Sequence, residues 1–121
     1  MKLSCQKLKQ SLKNAFWGLK IALGQHSFLL MILITLLVLF LAWFLKISFL
    51  EWLIVILLIG LILSLEVFNT VLEKLLDFIE PNHSPRVKEI KDLIAAAVLV
   101  ICLISLVLGL IIFLPKLIAL F

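Results

Sequence analysis

Apolar positions fall in three long blocks along this chain, with few polar positions between them. The first runs uncharged from about Ser27 to Leu45, the second from Trp52 to Leu65, and the third from Leu93 to Leu114. A helical membrane crossing takes about 20 residues. The second block continues with helical spacing through Glu66, Asn69, Glu73 and Asp77. The pattern predicts spans over 27–45, 52–72 (the helix running on to about 78) and 93–114. Ahead of them, in residues 1–26, Leu8, Leu12, Ala15, Phe16 and Leu19 recur at spacings of three and four among lysines. That spacing predicts a basic amphipathic helix lying in the membrane surface. Lys46–Glu51 reads as a short polar hairpin, bracketed by the interfacial aromatics Trp43 and Trp52. Residues 79–87 read as a loop, with turn signals in Glu80-Pro81-Asn82-His83-Ser84-Pro85. Pro115 and Lys116 are expected to close the third span. The fold class is an all-α membrane protein in a single domain.

Composition narrows the function. Of 121 residues, 65% are hydrophobic and 15% charged, against about 25% charged in a soluble domain. An ordinary cytosolic domain, a disordered chain and a disulfide scaffold are excluded. The net charge of +4 fits membrane orientation better than nucleic acid, because no basic reader motif is present. Lys2, Lys7, Lys9, Lys13 and Lys20 precede the spans. Lys74, Arg86, Lys88 and Lys91 flank the second loop, and only Lys46 and Lys116 lie opposite. The N-terminus and the charged loop are therefore expected in the cytoplasm. A signal peptide is rejected, since the first apolar run is too long and no small-residue cleavage site follows it. Cys5 and Cys102 form no CxxC and read as small apolar residues. Gly18, Gly24, Gly60 and Gly109 form no phosphate-binding loop.

Glu66 is the anomaly. A carboxylate at the centre of a span costs about 2.5–3.5 kcal/mol on insertion scales, so it needs a partner or a task. At about 100° per residue, Asn69 lies about 60° to one side of it, and Glu73 and Asp77 lie within about 20°. This one stripe of oxygen donors suits a hard divalent cation such as Mg²⁺. Its deepest acid could act as a general base toward a group reached from the lipid. The bland alternative is a solvated helix end whose acids pair with Lys88 and Lys91. For Lys91 and Asp92 the choice is between a snorkelling helix-end pair and nucleotide contacts. His26 reads as interfacial and His83 as a loop histidine.

The stretch Glu66-Val67-Phe68-Asn69-Thr70-Val71-Leu72-Glu73-Lys74-Leu75-Leu76-Asp77 resembles the signature E-x-x-N-[ST]-x-x-E-x-x-x-D of the prokaryotic diacylglycerol kinase family. Lys91-Asp92, followed by Ala95-Ala96-Ala97-Val98, fits the same family, as do the chain's size, its basic surface helix with Gly18-Leu19 and its three spans. The resemblance implies a homotrimer in the bacterial inner membrane. It implies transfer of phosphate from ATP, with Mg²⁺, to diacylglycerol or undecaprenol. It assigns Glu66 as the base acting on the lipid hydroxyl, Asn69 as a polar partner in the same site, and Glu73 as a ligand of the metal that accompanies ATP. Lys91, Asp92 and Asp77 match nucleotide-side residues, Asn82, His83 and Ser84 fall where the family's loop approaches the nucleotide, and Ala95 falls on the lipid side. One departure stands out: Gln25 lies where the family has a second metal-binding acid, and Leu29 where an Arg is common. Two rival readings stay open, the first resting on the intramembrane acid itself and the second on this departure. One is a proton-coupled transporter using Glu66 as relay; the other is a catalytically weakened kinase homologue.

Overall fold

The computed structural model describes residues 4–82 and 84–121. Within them are four helices: α1 (Cys5–Leu23), α2 (His26–Phe44), α3 (Phe49–Ile79) and α4 (Pro85–Leu120). The last three are long and apolar enough to cross a membrane. Each boundary has a local cause. Ser4 caps α1 by accepting a hydrogen bond from the Lys7 amide. Gly24 and Gln25 interrupt the helical run before α2. Ser84 caps α4 by accepting from the Val87 amide, and Pro85 takes the first helical position, where no backbone donor is needed.

The α2–α3 link is tighter than the polar hairpin read from sequence. Lys46 adopts a left-handed conformation with φ 53°. The Ile47 amide reaches back to the Ala42 carbonyl at 3.3 Å, and the Lys46 amide to that of Trp43 at 3.3 Å. This pair of bonds closes a helix C-terminus and packs the residue beyond it against the last turn. Ile47 and Ala42 are both buried, in a core completed by Val55 and Ile112. Ser48 then caps α3, its hydroxyl accepting from the Glu51 amide while Glu51 accepts from the Ser48 amide. Glu51 is therefore inside the helix and not part of the hairpin.

Pro115 does not end α4, which continues to Leu120. A proline removes one backbone donor. In an apolar setting, ending the helix would leave several groups without partners, so continuing it is the lesser cost.

Two ion pairs tie α3 to α4, which make the most extensive helix contact. Lys116 Nζ donates to both Glu51 carboxylate oxygens at 2.8 and 3.1 Å, at the hairpin end. Lys91 Nζ donates to Asp77 Oδ1 at 2.7 Å, at the loop end. They fix an antiparallel register in which residue numbers on one level add to 167 or 168. Along α3 the pairs are about 39 Å apart at 1.5 Å per residue, which brackets a hydrocarbon core of about 30 Å. Glu51→Ala is expected to lower the melting temperature in detergent by a few degrees. The charge-swapped pair Glu51→Lys with Lys116→Glu should recover more of it than either reversal alone. Additive losses in that double-mutant cycle would show the pair to be uncoupled.

Little of the chain is covered by its own helices. Leu37, Leu57 and Ile111 typify the large apolar side chains left exposed on all three long helices.

Candidate active site

α3 displays the acidic stripe on one face. Glu66 is 4% exposed and is the buried charged residue among those described. Its carbonyl accepts the Thr70 hydroxyl at 3.1 Å, a bond that holds Thr70 against the helix and leaves the carboxylate out of it. One turn on, Asn69 Oδ1 is buried and finds no hydrogen-bond partner among the described residues. An unpaired buried carbonyl of this kind has a cost of about 1–3 kcal/mol, and it is a ready oxygen donor to a ligand. Glu73 is half-buried two turns above Glu66, and Asp77 is exposed at the helix end.

Glu66 sits deeper than the apolar blocks imply. It is about 16 Å along α3 from the Asp77–Lys91 pair and about 22 Å from the Glu51–Lys116 pair. The polar stripe is therefore a track that descends from the loop end to within a few ångströms of mid-depth.

The charged residues expected around a nucleotide are gathered at the loop end. Lys91 is held by Asp77, and Lys88 pairs with Asp92 at 2.8 Å one turn along α4. The pairing with lysines expected of a plain helix end is thus present, and it also concentrates two lysines beside the stripe. A cavity of about 470 Å³ lies there, lined by Ser84, Pro85, Val87, Lys88, Lys91 and Asp92. Asn82 is exposed in the same loop, and His83 lies outside the described residues. Ala95 is exposed on α4, one turn below Lys91. Gln25 caps α2 without a side-chain hydrogen bond. Ala42 shares the core with Val55, and Thr35 shares a cavity with Ile62. Carried along α2, that register brings Gln25 level with Leu72, the residue before Glu73.

Could these donors hold a metal? Among the described residues, no three His, Cys, Asp or Glu side chains come close enough to form a cage. Mg²⁺ does not need one: it is usually held by one or two carboxylates, with substrate phosphates and water completing the shell. Glu73 and the unpartnered Asn69 oxygen fit that mode.

The capping box Ser48–Glu51 and the Glu51–Lys116 pair were missed in reading the sequence. Ser48-Phe49-Leu50-Glu51 carries the S-x-x-E signal for the first. The second joins residues 65 positions apart and leaves no local signal.

A family model described as prokaryotic diacylglycerol kinase matches residues 13–113. An undecaprenol kinase of Bacillus subtilis (strain 168) is 49% identical over 72 residues. That stretch covers 60% of this chain and 58% of the relative, so the match spans less than two thirds of the relative's length. No solved structure matches.

Proposed function

Because the chain belongs to the prokaryotic diacylglycerol kinase family, we propose that it is a membrane lipid kinase moving the γ-phosphate of ATP to a lipid alcohol. The observation that carries this reading is the buried Glu66, set on a face that runs through Asn69 and Glu73 toward the paired lysines. Glu66 accepts the proton of the lipid hydroxyl. The freed oxygen attacks the γ-phosphorus, and the bond to the bridging oxygen of ADP breaks. Lys91, released from Asp77, neutralises phosphate charge, while Glu73 and Asn69 would hold Mg²⁺. The metal supplies charge neutralisation and alignment of the phosphates, which together with positioning make up most of phosphoryl-transfer catalysis.

The likeness to an undecaprenol kinase favours a polyprenol over diacylglycerol as acceptor. The lysine distribution favours a cytoplasmic N-terminus and α3–α4 loop in the inner membrane. α1 then lies on the membrane surface with its apolar side chains down, and Lys20 stacked over Trp17 at 5.1 Å. The bare apolar faces of α2–α4 favour a homotrimer whose copies complete one another's sites.

The depth of Glu66 is also what a proton-coupled carrier would show, and product analysis separates the two. Purified protein with Mg²⁺ and γ-labelled ATP should transfer label to undecaprenol, and more slowly to diacylglycerol. Absence of labelled lipid with either alcohol, under conditions where the protein is intact, would overturn the kinase reading.

A further inference from the structure

The face of α3 that bears Glu66 does not end there. At about 100° per residue, Ile62, Ile59 and Val55 lie within about 40° of Glu66 on the hairpin side. These three residues line an apolar cavity of about 450 Å³ between α2, α3 and α4. Its upper rim is set by the α3–α4 register, which brings Cys102 level with Glu66. Its floor is the core of Ala42, Ile47, Val55 and Ile112, sealed below by the Glu51–Lys116 pair. From Glu66 to Val55 is about 16 Å of helix.

We propose that this cavity is a track for the hydroxyl-proximal segment of the hydrocarbon chain of the lipid alcohol whose hydroxyl meets Glu66. The inference rests on the kinase reading and names what that site measures. Continuity is the first argument: the polar stripe and the apolar lining are one helix face, so a molecule with its hydroxyl at Glu66 has its tail directed into the cavity. Size is the second. A volume of about 450 Å³ lies within the range of single small-ligand sites, about 300–1,000 Å³. Chemistry is the third. The Ser105 hydroxyl on the wall is committed to the Ile101 carbonyl at 2.7 Å, which leaves the Thr35 hydroxyl and the Cys102 thiol in an otherwise apolar lining suited to a hydrocarbon chain.

Gly109 sets how far the chain descends. It lines the track level with Leu58 and Ile59, and a Cβ built on it meets nothing within 4 Å. A methyl group placed there stands in open space on the wall of the track.

The test uses the full-length protein in lipid–detergent micelles. Specificity is read as kcat/KM for undecaprenol divided by that for geraniol, which is too short to pass Gly109. Gly109→Phe should lower this ratio at least tenfold, and Gly109→Ala by a smaller factor. A second measurement needs no turnover. A C16 alcohol with a terminal diazirine, photolysed on the wild-type protein without ATP, should label α4 within 102–113 at track-lining positions such as Gly109 and Phe113. An unchanged ratio in both variants overturns the proposal. So does labelling confined to outward positions such as Leu103 and Val107, or labelling lost on forming the oligomer because another copy occupies the track. If neither alcohol is phosphorylated yet labelling maps to the track, the kinase reading fails and the chain site stands.

Discussion

Glu66→Gln is expected to lower phosphate transfer to the lipid alcohol by about 10²–10⁴-fold, the range usually contributed by a positioned general base. Glutamine keeps the shape and the oxygen of the side chain and loses only its capacity to take the proton. Because the wild-type carboxylate is buried with no hydrogen bond to another side chain among the described residues, its replacement breaks no structural contact. Expression, oligomer size and thermal stability should be preserved or improved. The KM for ATP should change little, since the lysines and Glu73 are a turn or more away toward the loop end. This combination separates a base from a structural acid. Substantial activity in Glu66→Gln, or a parallel collapse of stability and turnover, would remove Glu66 from the chemistry.

Glu73→Gln should instead act through the metal. The amide remains an oxygen donor but no longer offsets the cation's charge, so the Mg²⁺ concentration for half-maximal rate should rise on the order of 10–100-fold. The departure at Gln25 makes this position matter more, because the neighbouring helix brings an amide to within one residue of that level, where the family has a second acid. Gln25→Glu in the same background should recover part of the loss. Mg²⁺ titrations monitored by ATP hydrolysis and by Mg-ATP binding would check both. A metal dependence untouched by Glu73→Gln would place the cation elsewhere.

How much of this was legible in the sequence depends on whether the signal was local. The four helices were, because apolar blocks and the spacing of apolar residues act within a few turns, whereas the Ser4, Ser48 and Ser84 caps and the Gly24-Gln25 break that set their ends were not read. The acidic stripe was too, since a helix converts spacing directly into direction. Two things were not. The depth of Glu66 depends on the α3–α4 register, set by charges at opposite ends of long helices. Nor was the continuation of α4 past Pro115, because water that would satisfy freed backbone groups in a soluble protein is absent from hydrocarbon. The Asp77–Lys91 pair was foreseen as the bland alternative for an acidic helix end. Its presence does not separate the two readings, since a lysine held by a carboxylate is also one held in place for a phosphate.

The two ion pairs between α3 and α4 have a further consequence, for the choice of bilayer. Set about 39 Å apart along the helices, they act as a fixed gauge between the polar layers of the two leaflets. A lipid mixture appreciably thicker than the gauge would draw one pair into hydrocarbon or force the bilayer to thin around the protein. A thinner one would make the helices tilt, at a cost of fractions of a kcal/mol per ångström of mismatch. Either response shifts the depth of Glu66 relative to the headgroups, where the proposed kinase reaction would meet its lipid alcohol. On the proposed kinase reading, acyl-chain length in the host membrane is thus coupled to turnover through geometry.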